Sequence, residues 1–201
     1  MQRYIDDGLL SCVSSVVLAG TEVVDRHHWG FMDLETREPM NDSAIYRLYS
    51  NTKIVTAVAA MMLYEENRFA LDDPLEKFLP ELSNLQVLKE GASSVKDTEP
   101  AETLPTVRQL FCHSAGFSYG FLQESIVDQV YNARDVLGAG TTLADKVTML
   151  GEMPLAYQPG RRWQYSMSSD VLGRLVEVWS GAKFSDFLNA RIFEPLGMVD
   201  T

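Results

Sequence analysis

The chain has 201 residues, 46% of them hydrophobic and 22% charged, with a formal net charge of -11. That balance supplies enough apolar material for a sizeable core, in one large domain or two small ones. The 17 Lys and Arg are scattered among 28 Asp and Glu, which leaves no basic footprint for phosphates and excludes a nucleic-acid partner from the reading.

No run of apolar residues is long enough for a membrane-spanning helix. The opening "MQRYIDDGLLSCVSSVVLAG" lacks the basic-then-apolar layout of a secretion signal, so the expectation is a cytoplasmic protein without a membrane partner. Cys12 and Cys112 lie far apart without metal-ligand spacing and read as two buried thiols. Neither a metal site nor a cofactor motif is visible.

In chain order, Tyr4, Ile5, Leu9 and Leu10 predict a short amphipathic helix over residues 2–10. "CVSSVVLAG" and "EVVDRHHWGFMD" read as the two strands of an antiparallel hairpin. "LETREPMND" reads as loop, and "AIYRLY" as a third short extended run. Residues 54–64, "IVTAVAAMMLY", are almost continuously apolar and rich in Ala and Met, which predicts a buried helix. "LDDPLEKFLPEL" predicts a short helix capped by Asp73 with Pro74 at its first position. Residues 89–105 read as a surface loop, and "TVRQLFCH" as a helix of one to two turns before the glycine-bearing "SAGFSYG". Further helices are expected at 141–152, at 168–179 before Ser180-Gly181, and over "FSDFLNARIFEPLG". Strands come first and helices follow, an α+β order. The expected division is residues 1–50 as the helix and strands of an α/β domain and residues 51–201 as a mainly helical domain, with a sheet that looks incomplete.

Ser50 and Lys53 stand at i and i+3, on one face of a helix. A serine hydroxyl is a weak nucleophile until a neighbour takes its proton. A lysine can do so when burial favours its neutral form, and the apolar run behind Lys53 predicts such burial. At a helix start the Ser50 N–H can also meet a developing oxyanion. S-x-x-K alone arises by chance, and a plain helix cap is the alternative for Ser50. Downstream, "PGRRWQYSMSSDVLGRLVE" places Tyr165 directly before an amphipathic helix, where nearby positive charge would fit it as a proton relay.

Together, "VVLAG", "YSNTK", "LDDPLEKFLPE", "TVRQLFCHSAGF", "PGRRWQYSMSSDVLGRLVE" and "IFEPLGMVDT" resemble the serine β-lactamase-like and penicillin-binding superfamily. The nearest resemblance is to class C-like family VIII carboxylesterases and their acyltransferase relatives. It implies a β-lactamase/transpeptidase-like fold, an antiparallel sheet flanked by helices plus a mainly helical domain. Ser50 would be the acylated nucleophile, Lys53 its activating partner and Tyr165 the second-motif tyrosine. Two departures matter. Met167 stands where class C β-lactamases carry Asn, and a thioether cannot bind a substrate amide, which favours an ester substrate. The third motif, a K-T-G or equivalent on a late strand, is not present, so the expectation is an N-terminal portion of a longer protein or one piece of a cleaved chain, whose partner is the remaining C-terminal part.

Phe117, Tyr119, Phe121 and Trp163 flank the motif loops and are candidates for an apolar acyl pocket, although loop aromatics also pack simply to hold loops. Phe117, Tyr119, Trp163 and Met167 are the candidate substrate-binding residues. His27-His28 alternate across a strand and do not make a metal site. His113 lies in a segment that resembles a structural loop of the family, and Asp72-Asp73 read as caps rather than an acid/base pair. The expected activity is hydrolysis of small or short-chain esters through an acyl-enzyme on Ser50. The alternatives are acyl transfer, weak β-lactamase or D-alanyl-D-alanine peptidase activity, and a catalytically silent scaffold.

Overall fold

The computed structural model describes residues 1–201, and backbone contacts divide them into two compact units, Met1–Leu48 and Tyr49–Val199. In the first, helix α1 (Gln2–Asp6) precedes strands β1 (Cys12–Ala19), β2 (Glu22–Asp33) and β3 (Glu38–Pro39), which form an antiparallel sheet in that order. The hairpin turns over Gly20-Thr21, and Gly20 takes φ +63, a conformation that costs glycine little. One register shift between Val17 and Leu18 separates Cys12 opposite Gly30 from Ala19 opposite Glu22.

The third strand is not "AIYRLY" but Glu38–Pro39, inside the stretch expected to be loop. Pro39 sits on the sheet edge, where it owes the ladder no N–H. Residues 44–48 take no strand, and Ile45, Tyr46 and Leu48 are exposed. The neighbouring histidines part company: the His28 ring bridges Ser14 (2.7 Å) and Asp42 (3.1 Å), whereas His27 pairs with Asp25 (3.0 Å). Both cysteines are free thiols, and the expectation that they are buried fails, since Cys12 is half-buried and Cys112 exposed.

The second unit holds helices α2 (Thr52–Glu65), α3 (Val107–Phe111), α4 (Ile126–Ala133), α5 (Leu143–Gly151), α6 (Ser168–Ser180) and α7 (Phe184–Leu188). The last continues into a π-helical turn, Asn189–Phe193. A small hairpin, β4 (Gln86–Leu88) with β5 (Thr98–Pro100), completes it. Helix α6 is the hub, packed against α2, α3, α5 and α7. Its Val171, Leu172, Leu175, Val176 and Trp179 repeat at helical spacing and are all buried. The Trp179 indole stacks on Phe69 with centroids 3.9 Å apart, and Gly181 (φ +72) closes the helix in the left-handed cap.

Helix α2 is mostly apolar but buried on one side only. Thr56, Ala59, Ala60 and Leu63 face inward, while Ile54 is 68% exposed and Val58, Met61 and Tyr64 are also exposed. The expected helix over "LDDPLEKFLPEL" is instead two 3-10 turns, Leu75–Lys77 and Pro80–Leu82. Pro80 has no N–H for an α-helical ladder. Asp73 does not cap a helix; its carboxylate accepts from the Ala70 N–H (2.8 Å) and the Lys77 amine (2.9 Å). Residues 89–105 are not all loop, since β5 lies within them. No helix in the chain is long and apolar enough to cross a membrane.

Helix α4 had no counterpart among the expected elements, although Ser125 and Asp128 form a capping box at its start. Asp128 is fully buried and accepts from the Ser118 hydroxyl and from the backbone N–H groups of Glu124 (2.8 Å) and Ser125 (3.2 Å). Replacing it by alanine strands the buried Ser118 hydroxyl and two part-buried backbone N–H groups. Asp128→Ala is expected to cost the full-length protein about 2–4 kcal/mol in a urea titration, because donors left unpaired forfeit their hydration. A loss below ~1 kcal/mol would show that water replaces the carboxylate freely.

Candidate active site

Ser50 lies in a 3-10 turn, Tyr49–Asn51, that runs directly into α2. Tyr49 adopts φ +45, a left-handed conformation that costs a side-chain-bearing residue on the order of 1–3 kcal/mol. The turn leaves Ser50 exposed. One helical turn on, the Lys53 Nζ donates to Ser50 Oγ at 3.3 Å. From 115 positions away in the chain, the Tyr165 hydroxyl meets the same Oγ at 2.6 Å. The three side chains singled out by the sequence converge on one oxygen.

Lys53 is half-buried rather than buried, which corrects the expectation drawn from the apolar run behind it. That run turns Ile54 and Val58 outward, so it does not enclose the amine. Two phenol rings do part of that work: Nζ lies 4.9 Å from the centre of the Tyr165 ring and 5.6 Å from that of Tyr119, within cation–π range.

Tyr165 sits on a segment that is pinned from behind. Gln164 N–H donates to the His113 carbonyl (2.9 Å), Ser166 N–H to His113 Nδ1 (3.2 Å), and Met167 N–H to the Ser118 carbonyl (3.2 Å). The Gln164 amide also reaches Ser118 Oγ at 2.6 Å. The supporting loop, residues 113–120, is fastened in turn by Ala156 N–H to Gly116 O and Gly160 N–H to Ser114 O, both 2.8 Å. Gly116 takes φ +97, and a Cβ there would lie 2.7 Å from the Tyr157 carbonyl. Only glycine fits.

The electrostatics follow from these contacts. Partial burial works to raise the Tyr165 phenol, but donation from Lys53 and Ser50 and the lysine's charge outweigh it, and the group is held below the ordinary tyrosine value. Burial, helped by the Lys53 charge, lowers His113 and favours its neutral ring. Asp170, in the first turn of α6, is pushed up by burial against the pull of Lys146, Lys53 and the Tyr119 hydroxyl 3.4 Å away. The same burial, with Asp170 beside it, drives the Tyr119 phenol well above its usual range.

The expected substrate contacts divide. Tyr119 is buried beneath the site, its ring 5.3 Å from Tyr165. Trp163 is 68% exposed and stands edge-on to His113, and Phe121, also exposed, stacks on Tyr119. Phe117 and Met167 are corrected: both are 0% exposed, packed in the core, and neither presents a side chain to a ligand. His113 bonds Ser166 and not Ser50. Asp72 pairs with Arg108 at 2.7 and 2.9 Å, away from any acid/base partnership. Asp170 escaped the sequence reading because a carboxylate in a helix's first turn ordinarily serves the dipole.

The family model described as Beta-lactamase matches residues 1–201. The chain belongs to this family. Among its relatives, an uncharacterised protein of Mycobacterium tuberculosis is 33% identical over 201 residues, covering 100% of this chain and 49% of that protein. Esterase EstB of Burkholderia gladioli is 31% identical over 194 residues, covering 96% of this chain and 46% of the esterase. The solved structure of EstCE1, described as a hydrolase with promiscuous acyltransferase activity, superposes with a TM-score of 0.80 at 26% identity, over 98% of this chain and 49% of that one. The chain thus spans about half the length of the relatives it matches. The fold is β-lactamase/transpeptidase-like, and the family is one of β-lactamase-fold serine hydrolases with esterase and acyltransferase members.

The Tyr165 environment is directly measurable. Titrating ring-labelled tyrosine by NMR, with Tyr165→Phe for assignment, is expected to place Tyr165 below a free tyrosine and to move it upward in Lys53→Met, since the cation that favours the phenolate is gone. A titration unchanged in Lys53→Met would contradict the contact.

Proposed function

We propose that the protein is a serine carboxylesterase acting on small or short-chain esters through an acyl-enzyme on Ser50. The observation that carries this reading is the meeting of the Tyr165 hydroxyl (2.6 Å) and the Lys53 amine (3.3 Å) on Ser50 Oγ. In the proposed reaction Ser50 Oγ attacks the ester carbonyl carbon while its proton passes to Tyr165, whose conjugate base Lys53 stabilises. The tetrahedral adduct collapses, the carbon–oxygen bond to the leaving alcohol breaks, and the alcohol takes the proton back from Tyr165. Water then attacks the acyl-enzyme by the same route in reverse and releases the acid.

Acyl transfer is the second reading, and two observations favour it. The relatives include acyltransferase calJ of Penicillium decumbens, 28% identical over 186 residues, and EstCE1 is described as a hydrolase with promiscuous acyltransferase activity. Both readings share the acyl-enzyme and differ only in what resolves it. A catalytically silent scaffold is the non-enzymatic alternative. Against it, Tyr49 holds a strained backbone conformation beside an accessible serine that already bonds both partners.

With p-nitrophenyl butyrate and the full-length protein, Ser50→Ala is expected to abolish turnover and the acyl adduct seen by mass spectrometry. Tyr165→Phe is expected to lower kcat/KM by about 10²- to 10⁴-fold, the usual worth of a positioned proton acceptor. Turnover that survives Ser50→Ala would transfer the chemistry elsewhere. Adding a long-chain alcohol decides between water and alcohol as acceptor: a new ester product marks a transferase.

A further inference from the structure

His113 holds the backbone of both residues that flank Tyr165. Its carbonyl accepts the N–H of Gln164 at 2.9 Å and its ring Nδ1 accepts the N–H of Ser166 at 3.2 Å. In an extended segment, N–H groups two residues apart point the same way, so a single residue offering two acceptors can take both and leave the side chain between them aimed elsewhere. The imidazole also lies against the Tyr165 ring, centroids 5.0 Å apart and planes inclined by 39°.

His113 is itself fixed. It sits just past α3 at φ +51, a left-handed conformation in which histidine is enriched over most side chains. Its own N–H bonds the Leu110 carbonyl (3.2 Å), and its carbonyl also receives the Tyr157 hydroxyl (3.2 Å). On the far side, the Ser166 hydroxyl lies 3.3 Å from Nδ1 and 2.8 Å from Ser168 Oγ, so Ser166 is tied by side chain as well as by backbone. With Nδ1 engaged as an acceptor, the ring proton belongs on Nε2. The nitrogen facing Ser166 has no capacity left to act as a base towards Ser50, whose hydroxyl meets Tyr165 and Lys53.

We infer that His113 is a positioning residue that fixes the Tyr165 hydroxyl against Ser50 by clamping Gln164 and Ser166 from behind, without itself touching the reacting atoms. This rests on the proposed part of Tyr165 in the reaction. The clamp works through the acceptor at Nδ1, so it is separable from simple ring packing. His113→Phe keeps an aromatic ring and loses the acceptor. His113→Asn tolerates positive φ and puts an acceptor oxygen where Nδ1 stood.

In the full-length protein, His113→Phe is expected to lower kcat for p-nitrophenyl butyrate by about 10- to 100-fold with KM nearly unchanged, the signature of a misplaced catalytic group. In the same variant the NMR titration of Tyr165 moves up towards an ordinary tyrosine, because the phenol has left Lys53 and Ser50. His113→Asn restores kcat to within about 5-fold of wild type. If both variants lose activity equally while the Tyr165 titration stays where it was, His113 merely supports the fold and the inference is overturned. It is equally overturned if His113→Phe changes neither quantity. Should the variants not fold, the ¹⁵N shifts of the wild-type imidazole decide: Nδ1 unprotonated near pH 7 supports the clamp, and a proton on Nδ1 overturns it. If the Tyr165 titration moves in His113→Phe while Tyr165→Phe leaves turnover intact, the clamp stands and the proposed catalytic reading fails.

Discussion

The hydrogen bond between Ser50 and Tyr165 is the contact on which the site depends, and neither residue makes it through its own neighbours. Each stands at the start of a helix, Ser50 just before α2 and Tyr165 just before α6, and these two helices pack against one another. The inward face of α2 offers Ala59 and Ala60, small side chains that let α6 approach closely. A core change that shifted one helix by an ångström would part the two hydroxyls, since a hydrogen bond does not survive such a displacement. The burial of Leu63, Val171, Leu175 and Val176 therefore sustains the Ser50–Tyr165 contact as well as the stability.

Around that bond the charges are arranged asymmetrically. Lys53 is a cation bracketed by two phenol rings, and only one of those phenols, Tyr165, is lowered by it. The other, Tyr119, is sealed beneath and raised. Two tyrosines whose rings lie 4.9 and 5.6 Å from one lysine thus differ in charge preference, one at the surface with its phenolate favoured and one kept as a neutral wall. Burial makes the difference: the charged phenolate is tolerated where water still reaches it and penalised where it does not. His113, also lowered by burial, stays neutral and uses its acceptor nitrogen on the backbone.

Much of this was legible in the residues. Ser50 and Lys53 at i and i+3 had to share a face once 54–64 was read as a helix. The β1–β2 hairpin followed from β-branched runs on either side of Gly20, and α6 from its apolar spacing and Gly181. What failed did so for physical reasons. The stretch 71–82 has helix-forming residues, but Pro80 would fall inside the helix and break its ladder, and two 3-10 turns form instead. Residues 38–39 carry a proline and still form an edge strand, because an edge owes no donor. Phe117 and Met167 flank the site in sequence but point into the core, and a one-dimensional reading cannot tell which way a loop side chain turns. The left-handed Tyr49 and the clamp by His113 are set by tertiary contacts and leave no local pattern.

In the proposed reaction Ser50 is reactive because Tyr165, biased by Lys53, accepts its proton. The most direct test is the second-order rate at which a small alkyl phosphonate modifies Ser50 in the full-length protein, followed across pH. The account predicts a rate that climbs with pH along the ionisation of Tyr165 measured independently by NMR, with the climb lost in Tyr165→Phe. A rate that is flat in pH, or that rises identically in Tyr165→Phe, would contradict it.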